Sequence, residues 1–408
     1  MQNLQTEPIN SDWAIHKLGS LCDIKTGKKD VNAENQNGKY PFFTCAQEAH
    51  KIDVFSFDTE AVLVAGNGFF NVKYYSGKFD AYQRTYVLCN FKDNVDGKYI
   101  YHYVNSKLGE ITKDNRGSTI RYIRLGDLTE QDVVLPTYSI QKQVVNKIES
   151  LLEKINTSSI NILRSKIIIH NFRQSVLLAA VSGKLTEGWR AKNSLPTDYS
   201  DDGYPVKWGL EKLVSLVDSF QNGLSKRNSN IGTETVVLRL ADYSGFQLGE
   251  DNYRKIKLTD KEIDKYKLTK DDLLIIRVNG SPDIVGRFFV FDEEREFTYC
   301  DHFIRIKIKL DKILPRYLEL VANSYLSRKH IQDNMVSSAG QNTVNQTTIG
   351  GLNIPLPSID EQQEIINRFV LLSNVADSIE NNIQKSGINI DKLSQSILFK
   401  AFKGELVS

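Results

Sequence analysis

The sequence predicts an α+β protein: two mixed α/β domains separated by a pair of long antiparallel coiled-coil helices, arranged as a pseudo-twofold internal repeat. Three observations predict it. LPTYSIQKQVVNKIESLL (135–152) recurs as LPSIDEQQEIINRFVLLS (356–373), so that Leu135, Pro136, Gln141, Val144, Val145, Asn146, Lys147, Ile148 and Leu151 fall on Leu356, Pro357, Gln362, Ile365, Ile366, Asn367, Arg368, Phe369 and Leu372. At the same offset of 221, FRQSVLLAAVSGKL (172–185) falls on LSQSILFKAFKGEL (393–406). No residue is gained or lost between the two blocks, as an unbroken helix demands, because each insertion rotates everything after it by about 100°.

Residues 1–136 read as the first mixed domain and 137–185 as the first spacer helix. Residues 186–207, rich in Pro, Gly, Asp and Ser, read as a linker. The second domain then spans 208–357 and the second spacer helix 358–408. The domains begin alike, WAIHKLGSLCDIKTGKK (13–29) beside WGLEKLVSLVDSFQNGLSKR (208–227). Midway, each has an apolar strand running into an Asn-Gly hairpin turn, AVLVAGNG (61–68) and LLIIRVNG (273–280). They close on GSTIRYIRLGDL (117–128) and GQNTVNQTTIGGL (340–352), and the second is longer between these landmarks.

In the helices, steps of four and three residues give the seam Val144, Ile148, Leu151, Ile155, Ile162, Ile169, Phe172, Val176 and Ala179. The second copy gives Ile365, Phe369, Leu372, Ala376, Ile379, Ile383, Ile390, Leu393 and Ile397. Such a heptad seam marks a coiled coil, interrupted at one equivalent slot by Ser165 and Ser386. Gly183 and Gly404 are natural C-terminal stops. Antiparallel pairing follows because the chain must build a whole domain between the end of one helix and the start of the next.

Composition narrows the function. With 408 residues, 40% hydrophobic and 25% charged, the chain is ordinary globular protein with more than one core. No apolar run approaches the roughly 18 residues of a membrane span, and the start MQNLQTEPINSDW has neither basic stretch nor apolar core, so a cytoplasmic location is expected. Cys22, Cys45, Cys89 and Cys300 form no CxxC pair and the six histidines fall at no ligand-like spacing, which predicts reduced thiols and no metal site. The formal charge of +2 excludes a polycation; nucleic-acid binding would need basic groups concentrated on one face. There is no GxxxxGK[ST] loop, GxGxxG, NPPY-like methylase element or nucleophile elbow. Asp283 and the Asp271-Asp272 pair lack a second acid suited to a metal-dependent nuclease and read as charged turns. No catalytic residues are expected; the chain reads as a non-enzyme.

The layout resembles the specificity (S) subunit of type I restriction-modification systems over nearly the whole chain. The helix start repeated twice carries the resemblance, together with the helix ends AAVSGKLTEGW and KAFKGELV and the strings VLVAGNGFFNVKYYSGKFDAYQRTYVL and DLLIIRVNGSPDIVGRFFVF. It implies two DNA target-recognition domains, each reading one half of a bipartite double-stranded site, with the helices setting the unread gap and docking two modification (methyltransferase) subunits. Restriction (translocase/nuclease) subunits would complete the complex. The chain itself would hold no cofactor, while S-adenosylmethionine, ATP and Mg would belong to the partners, which methylate adenine or cut DNA. One departure marks the first copy: SIQKQ (139–143) stands where the second has DEQQE (360–364) and where the family pattern has an acid before the glutamine. The departure leaves open whether the two docking surfaces that the resemblance implies are equally strong.

Bases are read chiefly by Arg or Lys on guanine and by Asn or Gln on adenine, while phosphate contacts give position. Candidates in the first domain are Lys28, Lys29, Asn67, Gln83, Arg84, Arg116, Arg121 and Arg124. In the second they are Lys226, Arg227, Arg277, Asn279, Ser281, Arg287, His302, Gln341, Asn342 and Asn345. Simpler readings stand beside each: Asn67 and Asn279 as turn residues, Arg84 and Arg121 as salt-bridged strand residues, the paired bases as phosphate contacts or solvated loops, His302 as a satisfied interior side chain. A duplicated coiled-coil scaffold or interaction protein presenting two binding heads is the alternative function.

Overall fold

The computed structural model describes residues 13–113, 121–244, 247–249 and 252–407. The chain divides into two compact units, residues 1–165 with 382–408 and residues 166–381. Each holds one head, the start of the helix that follows that head, and the end of the other long helix.

In the first unit a six-stranded sheet runs in the order Asp23–Thr26, Thr85–Cys89, Phe57–Ala65, Val72–Ala81, Tyr40–Phe43, His50–Ile52. The pairings are antiparallel except that of Tyr40–Phe43 with Val72–Ala81. The AVLVA run is apolar throughout because both faces of its strand are covered. Val62 and Val64 join a core with helix Gly97–Ile111, while Ala61 and Leu63 join a second cluster with Phe43, Phe79 and Val87. A two-stranded ladder, Ala14–Lys17 with Asp132–Leu135, ties the two ends of the head together. Val144, Val145 and Ile148, from the start of the first long helix, share the core with Ala401 and Phe402, from the end of the second. Phe402 meets Tyr99 and Tyr103 edge-on at 5.4 and 4.9 Å.

The second unit repeats this frame. Strands Val217–Asn222, Phe303–Ile308, Leu273–Ile276 and Phe288–Val290 form the matching sheet. Leu273 and Ile275 face one core, and Leu274 and Ile276 the other. The ladder Gly209–Lys212 with Asn353–Leu356 has the same register as its counterpart. A separate sheet, Lys255–Leu258, Thr233–Leu238 and Thr298–Tyr299, pairs as His50–Ile52, Tyr40–Phe43 and the end of Val72–Ala81 do in the first head, and this longer head also carries helix Asp260–Tyr266, whose start is capped reciprocally by Thr259 and Glu262. Ala180 and Val181 share a core with Ile365, and Arg173 donates to Asp377 at 2.6 Å and Glu380 at 2.8 Å. In both units, therefore, the end of one long helix lies beside the start of the other, an antiparallel pairing.

The long helices span Tyr138–Val181 and Ile359–Phe402, 44 residues each. Gly183 and Gly404 both adopt φ +77°, the left-handed stop expected of them. In the first helix every seam residue is buried or half-buried, including Ser165, while Leu163, Ile167, Ile168 and Leu178 are exposed. The second helix departs from the seam drawn from sequence. Ile379 and Leu393 are exposed, and beyond Ala376 the heptad continues through Ile383, Ile390 and Ile397 while the alternate covered positions lie one residue further on, at Gly387, Ser394 and Ala401.

The repeated motif residues prove to be fasteners between head and helix. Gln141 is fully buried: its Oε1 accepts from Asp96 N at 2.8 Å, and its Nε2 donates to Pro136 O at 2.9 Å and Asn94 O at 3.0 Å. Gln362 repeats the set on Leu314 N, Pro357 O and Lys312 O at 2.8, 3.0 and 2.9 Å. Tyr99 and Tyr317 donate to Val134 O and Pro355 O in the same way.

The acid before the second glutamine is turned into the interior of the second unit. Glu361 is 3% exposed and accepts from Arg190 Nη1 at 2.6 Å, Thr186 Oγ1 at 2.8 Å and Trp208 Nε1 at 3.0 Å. Arg190, 1% exposed, lies on a short helix, Glu187–Lys192, of the segment read as a linker. The first unit has Ile140 at the equivalent place, packed with Leu406 and Val407 against its apolar core. The acid stands where a buried guanidinium requires a partner, and an apolar side chain stands where there is none.

Candidate DNA interface

In the first head, five segments distant in sequence are laced into one rim by backbone bonds. Gly27 N donates to Thr85 O at 3.2 Å, Gln83 N to Lys29 O at 2.9 Å, and Tyr82 N to Phe43 O at 2.9 Å. Gly66 N donates to Arg84 O, and Ile123 N to Gly66 O, each at 2.8 Å. Glycine is required at 27 because a Cβ there would sit 2.0 Å from Ala81 O. Gly223 meets Cys300 O at the same distance in the second head.

The rim collects most of the first-domain candidates. Lys28, Gln83, Arg84, Arg121 and Arg124 are exposed, and Lys29 and Asn67 are half-buried. Among the described residues none forms an ion pair or hydrogen bond with the side chains of Lys28, Lys29, Arg84 or Arg121. Among the described residues, then, Arg84 and Arg121 have no salt bridge of the kind that the simpler reading allowed. Gln83 Nε2 reaches Asp30 at 3.4 Å, and Arg124 stacks over Tyr122 at 5.7 Å while its amide is held by Asp127. Arg116 lies outside the described residues.

The second rim has the same lacing. Asp301 N donates to Leu224 O, Cys300 N to Leu238 O, Arg277 N to His302 O and Val344 N to Arg277 O. This register corrects the match made from sequence. Gly66 corresponds to Arg277, so Asn67 stands opposite Val278 and not Asn279; identical dipeptides had pulled the comparison one residue out of step. Nor is either a two-residue hairpin turn. Asn67 bridges to Tyr122, and Val278–Asn279 is a short strand paired with Gln341–Thr343. Lys29 likewise corresponds to Leu224, which places Lys226 and Arg227 two and three residues beyond that position.

Chemically the second rim differs. Lys226 is paired with Glu262 at 2.7 Å, and Arg227 with Asp301 at 3.1 Å. The Lys226 contact and the Thr259 amide hold the Glu262 carboxyl down at about 2. Arg277 is half-buried and reaches Asp301 O at 3.4 Å; Arg287 donates to Asp283 O at 3.0 Å, and burial lowers its pKa. Asn279 accepts from Ser281 N, and Ser281 from Asp283 N. Two candidates have structural work instead: Asn342 is buried and donates to Gly280 O, and Asn345 caps helix Gln346–Gly350 through Thr348 N. Gln341 is exposed, with no described partner for its amide.

His302 is half-buried, 3.5 Å from Cys300 Sγ. Cys300, Asp301 and His302 bring three donor atoms within 4.8 Å of one another, a cluster that the spacing of histidines did not reveal. It suits a metal poorly, since burial raises the thiol pKa of Cys300 and the Asp301 carboxylate is engaged by Arg227.

Sequence reasoning also passed over Phe69. It is 63% exposed at the tip of the 66–71 loop, beside Asn67. Its contact with solvent was not legible because a Phe-Phe pair in a strand-rich string ordinarily reads as core.

Paired helices carrying two heads with a shared frame and different rims define a class, and the chain belongs to it: the type I restriction modification DNA specificity domain family, whose model matches residues 10–164 and 212–386. The specificity subunit of the StySPI type I restriction enzyme of Salmonella potsdam is 37% identical over 77% of this chain and 66% of its own length. That of the EcoDI enzyme of Escherichia coli is 32% identical over 97% of this chain and 89% of its own. In fold the chain resembles the HsdS subunit from Thermoanaerobacter tengcongensis, with a TM-score of 0.61, 16% identity and coverage of 97% and 98% of the two chains. No helix among the described residues is long and apolar enough to cross a membrane.

Proposed function

We propose that this chain is the non-catalytic specificity subunit of a type I restriction-modification complex, each head reading one half of a bipartite DNA site. The observation that carries this is the repeated frame: the same lacing and the same buried glutamine fastener recur in both units, while the side chains displayed on the rims differ. A frame held constant under variable Arg, Lys, Gln and Asn is what groove reading requires, because positioning must be rigid while the base-edge donors change. The subunit works in the cytoplasm with two modification subunits and with restriction subunits. S-adenosylmethionine, ATP and Mg serve those partners, which methylate adenine or cut the DNA that this chain selects.

Exchange of residues 208–357 for the corresponding segment of a relative tests the reading. Mapped adenine methylation should change in one half of the motif and stay the same in the other. A change in both halves would show that the heads are not separate readers.

A further inference from the structure

We propose that Phe69 packs against the C5 methyl group of a thymine in the half-site read by the first head, so that this aromatic side chain specifies one base pair. The inference rests on the DNA-reading function above and adds to it a residue that recognises by apolar contact.

Four observations converge. Phe69 is 63% exposed, the most exposed aromatic among the described residues of the first unit. It is held there, not left to collapse onto the core. Asn71 Nδ2 donates to Phe69 O at 2.8 Å and to Cys45 O at 3.1 Å, and Gly68, at φ +70°, turns the loop outward into open space. The rim around it carries Lys28, Lys29, Arg84 and Arg121, which have no acidic partner among the described residues, so a polyanion approaching this face brings its bases to the loop. In the second head the same register places Gly280 where Phe69 stands, which leaves that rim without an aromatic at this point.

Major-groove edges offer one apolar mark, the methyl of thymine, and a phenyl ring is among the side chains that read it. Gln83 and Arg84 flank the loop and are placed for polar edges of neighbouring pairs, while the ring has no donor or acceptor to offer. A methyl contact is therefore the one discrimination Phe69 can make on a major-groove edge.

The test uses the full chain in complex with its modification subunits and two randomised duplex libraries, one built with thymidine and one with deoxyuridine in its place. Wild type should enrich a fixed thymine in one half-site, and the uracil library should weaken binding at that position about fourfold, the worth of one buried methyl. Phe69→Ala should lose the preference there, become indifferent to the uracil exchange, and keep the second half-site, which reports that the protein remains folded. Phe69→Leu, which keeps an apolar contact, should retain part of the preference. If Phe69→Ala enriches the same motif with the same uracil penalty as wild type, the inference is wrong. If it loses the position while wild type ignores the methyl, the ring acts by some other contact and the inference is again wrong. Enrichment of no sequence by wild type would remove the DNA-reading function itself, an outcome distinct from either.

Discussion

The two units share a frame and solve the same two problems differently. At the junction of head and helix, the second unit buries an ion pair, Arg190 with Glu361, roofed by Thr186 and Trp208. The first closes the equivalent junction with Ile140, Leu406 and Val407 packed on its core. At the rim, the first unit displays cations with no acidic partner among the described residues, whereas the second ties Lys226 and Arg227 to carboxylates. The strand frame and the glutamine fasteners recur in both units, while the junction side chains and the rims differ.

The junctions give the largest expected contrast. Glu361→Ala strands a buried guanidinium and should cost about 3–5 kcal/mol by denaturant unfolding. Ile140→Ala removes only part-buried apolar surface and should cost about 1–2 kcal/mol. Equal costs would break the distinction between the junctions.

Acid should next separate the units. His102 is 3% exposed with neither ring nitrogen bonded among the described residues, and burial pushes its pKa down to about 4, against opposing influences from Glu149 and Asp96. An unfolded histidine titrates near 6.5, so the unfolded chain takes the proton first. The stabilisation is present above about pH 6.5 and is lost as pH falls toward 4, on the order of 3 kcal/mol. The second unit has Leu320 at the corresponding place. His102→Leu should therefore flatten the acid limb of a melting-temperature profile between pH 6.5 and 4, and an unchanged limb would assign the sensitivity elsewhere.

The glutamine fasteners should show no contrast at all. Gln141→Ala and Gln362→Ala each orphan a buried amide and two carbonyls, and each should lose about 2 kcal/mol. A large inequality would mean that the repeated geometry does not carry repeated energy.

The rims give the smallest effects. Lys28→Ala should weaken binding uniformly across sequences and lower the salt slope by about 1, as a phosphate contact does. Lys226→Ala should change the slope less, because Glu262 already neutralises that ammonium. Salt-titrated binding of both variants decides it.

The sequence disclosed the architecture because a helix forbids insertions, so the offset of 221 survived in plain view. It did not disclose the work done by the matched residues. Gln141 and Gln362 showed as repeats, but their burial depends on Asp96 and Leu314, which lie in a head whose offset is no longer 221. The Asn-Gly pairs misled because identity was compared where hydrogen-bond register decides equivalence. Ile379 and Leu393 were drawn into the seam as apolar residues at the right step, though beyond Ala376 Ser394 is covered in place of Leu393 and only Ile383, Ile390 and Ile397 keep the drawn spacing. At the rim, the residue types singled out Arg84 and Lys28, while the pairing of Lys226 with Glu262, 36 residues apart, needed the fold.

The central claim is that one chain supplies two separate readings of DNA. Single-molecule mapping of methylated adenine, in cells carrying the partner modification gene with and without this chain, tests it most directly. The account predicts a split motif that appears only when the chain is present. Assembly with an active methylase but no such motif would contradict it.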